Sequence, residues 1–394
     1  MTALSLVAVA CEEYDNHIYD ADSAPATVTD VVAKPMPGGA DITYSLPADK
    51  SLLYVEAELT LPDWKTMNVK SSSYNNLIEI RGLASTDPQQ VALYSVSKGG
   101  KRSVASNVTI NPLTPPYMEV YDSMEMREDF GGINVTCYND SKASLAVVLS
   151  YLDEQSGEYL EYDAYYTEES EINYSFRGME NEKRKFSVYV RDRYDNISPM
   201  IEAELTPLYE ELIDKSKFNA VSGIQGDGKG DGTYPTDGQS EPKYLWNDVW
   251  STVPGAYADY KFYYIRAYDR QCSLTFDMGQ LVKLSRMRFN HYYPWSYMCA
   301  KEFEVYGSPE ITEDMYDGDF GKWTLLAKCR FDKPSGLGDG QYGQGDAEAF
   351  AQGTNFNVDL EAPKVRYIRV KALECWDGGG SVSFSEITAW GDPR

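Results

Sequence analysis

Residues 93–103 read LYSVSKGGKRS, and residues 188–198 read VYVRDRYDNIS. In both, a tyrosine-bearing run of alternating residues enters a polar turn that ends in serine. Alternation with a period of two marks a half-buried strand, whereas an amphipathic helix repeats every 3.6 residues. The two stretches read as one hairpin present in two copies, so the surrounding segments should be two sandwiches of one class.

Working outward, residues 25–114 offer ATVTDVVAKPM, the turn PGGA, then DITYSLP, LLYVEAELTL, NLIEIRGL, QVALYSVSK and ASNVTINP. Short strands at this spacing, punctuated by Gly, Pro, Asn and Asp, indicate an immunoglobulin-like or fibronectin type III-like sandwich. A second segment, 115–218, repeats the scale with INVTCYN, LAVVLSYL, YLEYDAYYT, INYSFRG, KFSVYVRDR and IEAELTP. The proline-bearing joints NPLTPP at 111–116 and TP at 206–207 mark the boundaries. LYEELIDKSKF at 208–218 is the best helical periodicity in the chain and reads as a short amphipathic helix.

Composition narrows the function. The 394 residues carry 36 basic and 61 acidic side chains, a net charge of −25. Such a field repels a phosphate backbone, so nucleic acid is not an expected partner, and anionic polysaccharide requires a local basic patch. There are only two histidines, His17 and His291, which leaves almost nothing for a histidine triad or a multi-histidine zinc site. Counting does not exclude carboxylate-pair hydrolysis. However, small all-β segments offer no catalytic-size domain, and a non-enzymatic role is expected.

The first residues, MTALSLVAVAC, form an apolar run shorter than the roughly 20 residues a membrane span needs. It resembles the end of a bacterial lipoprotein signal (1–11), with Ala8-Val9-Ala10-Cys11 as the lipobox, although no Lys or Arg precedes it. The acidic stretch at 12–24 reads as a tether, and resembles the surface-export signal of Bacteroidetes-type lipoproteins. That resemblance implies an acylated Cys11, a lipid anchor and an outer-membrane, surface-exposed location. The other cysteines, Cys137, Cys272, Cys299, Cys329 and Cys375, lack CxxC spacing. Cys137 alternates in phase with Ile133 and Val135, as a buried small hydrophobe would. Four cysteines in the last third leave disulfides open, and mostly free, buried thiols are the preferred reading.

Residues 219–394 differ from what precedes them. GIQGDGKGDGTYPTDGQSEP lacks the ligand positions of an EF-hand, since Lys229 and Gly238 fall where oxygen ligands belong. Gly338 to Gly343 satisfies a dinucleotide pattern without a following helix, so both stretches read as loops. Seven ordered pieces then resemble the discoidin, or factor V/VIII type C, family: LWNDVWST (245–252), CSLTFDMGQ (272–280), LSRMRF (284–289), KEFEVYGS (301–308), WTLLAKCRF (323–331), RYIRVKAL (366–373) and VSFSEITAWG (382–391). The resemblance implies a jelly-roll sandwich similar to family 32 carbohydrate-binding modules, giving an all-β chain of two fibronectin III-like sandwiches and one discoidin-like domain. The upstream pieces LPADKSLLYVEAELTL, VKSSSYNN and NPLTPP resemble domains of Bacteroidetes surface lipoproteins found with polysaccharide uptake systems. A non-catalytic glycan-binding role follows from these resemblances, with outer-membrane transporter components as further partners. A surface adhesion module for a protein or host-surface ligand is the alternative.

Sugar recognition needs an exposed aromatic face against the CH face of a pyranose and polar groups for its hydroxyls. Trp246, Trp250, Trp323 and Trp390 fall in family-matched strands or the opening motif and are expected in the core. Trp295, in the loop NHYYPWSYMC at 290–299, and Trp376, in CWDGGG, are the candidates for binding, with Tyr292 and Tyr293. Asp377, His291 and Arg270 would supply hydrogen bonds, and Trp64 is a further exposed candidate. The family's structural calcium would fall to Asn247, Asp248 and Glu386, with the usual Asp-Gly-Asn order altered here to Asn247-Asp248-Val249.

Overall fold

A computed structural model describes residues 23–61, 65–238, 240–250, 262–266, 270–292, 297–338 and 341–394. The chain divides into two compact units. One comprises residues up to 126 with 134–174 and 184–204, and the other comprises 127–133, 175–183 and 205–394. Among the described residues no helix is long and apolar enough to cross a membrane.

The first sandwich contains β1 (Thr29–Met36), β2 (Gly39–Ser45), β3 (Leu52–Thr60), β4 (Thr66–Ser72), β5 (Leu77–Ile80), β6 (Gln89–Ser97) and β7 (Ser106–Ile110). Its sheets run β1-β2-β5 and β4-β3-β6-β7. Inward residues alternate along each strand, and Ile42, Val55, Ala57, Ile78, Val91 and Leu93 make a dry core. After Pro115 comes a short helix, α1 (Pro116–Asp122), with proline in its first turn where no N–H is needed.

The second sandwich contains β8 (Glu125–Asp129), β9 (Gly132–Tyr138), β10 (Leu145–Leu152), β11 (Tyr159–Thr167), β12 (Glu171–Arg177), β13 (Arg184–Asp192) and β14 (Ile201–Leu205). Its sheets run β8-β9-β12 and β11-β10-β13-β14, the same order moved on by seven strands. This three-plus-four arrangement is that of a fibronectin type III domain. The repeat extends to single hydrogen bonds. The Ser95 N–H donates to Ser103 Oγ at 3.0 Å, and the Val190 N–H donates to Ser198 Oγ at 2.9 Å. The serine that ends each tyrosine-bearing hairpin thus closes it in both copies.

The C-terminal unit contains β15 (Glu211–Leu212), β16 (Asn219–Ala220), β17 (Tyr263–Ile265), β18 (Ser273–Asn290), β19 (Ala300–Ser308), β20 (Thr324–Arg330), α2 (Asp346–Gln352), β21 (Thr354–Asn357), β22 (Val365–Cys375), β23 (Val382–Phe384) and β24 (Glu386–Asp392). CSLTFDMGQ and LSRMRF, legible as two strands, are the halves of one strand, β18. Its first half pairs with β22 and its second with β24 and β21. Gly279, at φ +74°, lets the strand change sheets, and a Cβ there would lie 2.7 Å from the Lys217 Cβ. Phe276, Phe289, Phe303 and Phe384 fill the space between the layers.

The helix expected over 208–218 does not form. Leu212 pairs with Trp390, the Ile213 N–H donates to Ala389 O at 2.9 Å, and only Lys215–Lys217 make a 3-10 turn. Covering the open edge of β24 while burying Ile213 and Phe218 outweighs the modest helical propensity of these residues.

The glycine-rich loop after 222 is organised from within. Asp227, fully buried, pairs with the fully buried Arg369 at 3.0 Å and accepts from Ser273 Oγ at 2.6 Å. All five described cysteines are buried thiols outside any disulfide, as preferred from the sequence.

Candidate functional site

The described ring residues expected at the ligand end of the jelly roll lie inside it. His291 is fully buried, with its ring centroid 4.7 Å from Phe331 and 5.3 Å from Phe384, and burial drives its pKa down to about 3. Tyr292 stacks on Phe262 at 3.9 Å. Trp376 is buried with Cys299, Phe331 and Phe350, and the Lys333 ammonium sits 4.0 Å over its ring. These rings close the end of the sandwich. They offer no open face to a sugar, which corrects the expectation for His291, Tyr292 and Trp376.

Asp377 accepts from the Gly379 N–H at 3.2 Å within its own turn. Arg270 donates to Lys229 O at 2.6 Å, tying down the glycine-rich loop. Tyr293, Trp295, Trp64 and Cys11 lie outside the described residues.

A half-exposed aromatic surface lies elsewhere, on the outer face of the sheet containing β18 and β24. Along β18, Met287 and Phe289 point inward, so the period of two sends Arg286 and Arg288 outward. Trp390 pairs with Arg286 in register and shares that face. The Arg286 guanidinium lies 4.0 Å from the Trp390 ring centroid. Arg288 lies 5.3 Å from Trp390 and 5.8 Å from Trp250, making an alternating ladder of guanidinium and indole. Trp246 and Trp323 pack inward as expected for core residues, whereas Trp250 and Trp390 do not.

Beyond Arg288 the ladder opens into a groove. Trp250 and Arg288 line one part of it, and Gly345, Ala347, Glu348, Ala351 and Gln352 of the α2 region line the other. The helix is fixed by Asn290 Nδ2 donating to Ala351 O at 2.6 Å. On its exposed side Gln352 donates to Glu348 at 3.0 Å, leaving an amide and a carboxylate at the rim.

The two arginines differ in state. Arg286 is clamped by Glu210, with contacts of 3.0 and 3.2 Å. Arg288 makes no hydrogen bond or ion pair among the described residues, and its Nε is buried without an acceptor. Burial, with Arg286 close by, lowers its pKa. An unmet buried donor costs about 1–3 kcal/mol, which an acceptor brought by a ligand would relieve. The groove thus supplies an indole face, a guanidinium short of acceptors, and a carboxylate–amide pair opposite, a set suited to the CH face and hydroxyls of a pyranose.

The same sheet face holds the position expected for calcium. Glu386 is fully buried, and burial pushes its carboxyl up to about 7, the neighbouring Lys215 offsetting only part of that cost. The Lys215 Nζ lies 2.5 Å from Glu386 Oε1 and 2.5 Å from Asp248 Oδ1. Asn247 Oδ1 accepts from the Val249 N–H at 3.0 Å, so it serves a turn. Among the described residues no group of three or more His, Cys, Asp or Glu side chains is arranged to hold a metal. An ammonium wedged between the two carboxylates does not fit a divalent cation at the same place, because like charges at that range repel strongly.

Comparison with known proteins places the chain. Residues 25–112, 113–216 and 261–391 match three families described as domains of unknown function, DUF4959, DUF5126 and DUF5000. A Bacteroides SusE-like protein of known structure is 30% identical over 71% of this chain and 100% of its own, with a TM-score of 0.45. The chain belongs to the SusE-like family. Weaker likenesses reach a Clostridium perfringens family 32 carbohydrate-binding module solved with galactose (12% identity, 46% of this chain, 98% of that one, TM-score 0.30). They also reach a two-domain fibronectin type III segment of chicken tenascin (12%, 46% and 99%, TM-score 0.22). No curated protein matches. For this SusE-like chain, the sheet-face groove carries no signature in the seven discoidin-like pieces taken as a set. The signal that could have found it is the alternation of Arg286 and Arg288 against Met287 and Phe289.

Proposed function

We propose that the protein is a non-catalytic, surface-displayed glycan-binding member of a Sus-like polysaccharide-uptake system, and that its C-terminal unit holds a neutral sugar in the Trp250–Arg288 groove. The observation that carries this reading is the conjunction at one groove of an outward indole, an arginine with no hydrogen bond or ion pair among the described residues, and the Glu348–Gln352 pair. Kinship with a SusE-like protein supports it. A neutral sugar fits better than an anionic one, because Glu210 already neutralises Arg286, Glu348 stands at the rim, and the chain carries a net −25. Acylation of Cys11, an outer-membrane anchor and contact with transporter components belong to the same proposal. So does any contribution from Tyr293 and Trp295.

Affinity electrophoresis against neutral plant, host and microbial polysaccharides tests the reading. Retardation by at least one of them is expected, with Trp250→Ala weakening it about tenfold or more, equivalent to ~1.4 kcal/mol. Binding to a protein ligand with no glycan retained would favour adhesion instead, and release of reducing sugar by the purified protein would overturn the non-catalytic assignment.

A further inference from the structure

We propose that Lys215 is a built-in cation that replaces calcium in this chain and positions Trp250 at the groove. The positioning part rests on the glycan reading above, while the replacement of metal stands independently of it. Lys215 leaves the 3-10 turn at 215–217 and crosses the face of β24 that carries Glu386, Thr388 and Trp390, opposite the core residues Ile387 and Ala389. Its Nζ bridges Glu386 Oε1 and Asp248 Oδ1, and reaches Thr388 Oγ1 at 3.4 Å. The ammonium comes from a 3-10 turn, and its three oxygen partners come from a loop and from one strand, all far apart in sequence, which is how a structural cation ties segments together.

The loop end of this tie is costly to hold. Asp248 is left-handed at φ +59°, and its N–H points to Glu386 Oε1 at 3.4 Å. A non-glycine residue persists there because the Lys215 ammonium holds its carboxylate and the Asn247 side chain closes the turn. Two residues on, Trp250 reaches Arg288, which is paired in register with Thr388 on the same sheet face. The ammonium therefore anchors the short segment that delivers the indole to the groove. Among the described residues Glu386 Oε2 is buried with no hydrogen-bond partner. Removing the lysine side chain would leave this oxygen, Glu386 Oε1 and Asp248 facing a gap, and hard oxygen donors of this kind suit calcium.

Thermal melting of the full chain with calcium or with chelator, alongside Lys215→Ala and Lys215→Arg, tests the proposal. The natural protein is expected to melt at the same temperature in both buffers. Lys215→Ala should melt lower by roughly 6 °C or more in chelator and recover in calcium. Lys215→Arg should stay near the natural value in both. Hydrogen exchange supplies a readout of positioning that needs no sugar: amides 247–250 should lose protection in Lys215→Ala with chelator and regain it with calcium. If Lys215→Ala folds only when calcium is present, the equivalence of the two cations is supported. A natural protein that loses stability on chelation would overturn the proposal, as would a Lys215→Ala protein unaffected in melting and exchange. Failure of the natural protein to bind any glycan would instead remove the groove reading and leave these outcomes decisive for Lys215.

Discussion

At the scale of single residues, the C-terminal unit shows how burial redirects polar chemistry. His291 has the composition of a sugar ligand or a general base, yet Phe331, Phe350 and Phe384 surround it and keep it neutral. The folded ring resists protonation down to about pH 3, whereas the unfolded chain takes up a proton near 6.5. Between those values only the unfolded state gains the proton, so stability falls as pH falls. The slope contributed is about 1.4 kcal/mol per pH unit at its steepest. Urea denaturation at pH 7, 6, 5 and 4 should reveal it, and His291→Phe should flatten that limb. A pH-independent midpoint in the natural protein would show that the ring titrates freely. Trp250 and Trp376 exchange roles for a related reason. Trp376 closes the interior of the jelly roll, while Trp250 follows a strained turn that carries it outward.

At the scale of elements, the two sandwiches repeat one solution. Gly38-Gly39 and Gly131-Gly132 occupy equivalent hairpins, each with a left-handed first glycine, at φ +59° and +61°. A Cβ on Gly39 would lie 1.9 Å from Ile80 O, and one on Gly132 would lie 1.7 Å from Phe176 O. The neighbouring strand backbone leaves no room at either site. Gly39→Ala and Gly132→Ala should each destabilise by about 1–3 kcal/mol, read as a lowered denaturation midpoint. Substitution without effect at both would mean that these hairpins do not close as described. The alternation in β18 carries a second lesson at this scale. Its inward residues build the core, and its outward arginines build the ladder with Trp390, so one period of two specifies both the packing and the face on which we propose the groove acts.

For the whole molecule, the described residues build their stability on buried all-β cores, with no disulfide among them. The described cysteines are buried thiols, and burial raises those of Cys137 and Cys299 to about 12, well away from the thiolate form that exchange requires. Adding reductant should therefore leave the melting temperature unchanged, and a fall of several degrees would reveal a bridge. The acidic surface, at −25, sets what the protein can approach. A neutral glycan meets no long-range barrier, while a polyanion meets repulsion that a single arginine beside Glu348 does little to offset.

The strand pattern, the duplicated hairpin and the order of the discoidin-like pieces were legible in the sequence, because a period of two and its turn residues are local properties. So was the burial of Cys137 in phase with Ile133 and Val135. Two things were decided only by tertiary structure. LYEELIDKSKF became an edge strand and a 3-10 turn, since its partner is a strand end about 180 residues later in the chain. The burial of His291, Tyr292 and Trp376 was the other, because whether a ring closes a core or meets water depends on the layer it faces; the groove we propose lies instead on a sheet face. Lys215, the Asp248–Trp250 stretch, Arg288 and Glu386 lie on separate segments, and nothing in their spacing announces that a fold would set an ammonium between two carboxylates beside a half-exposed indole.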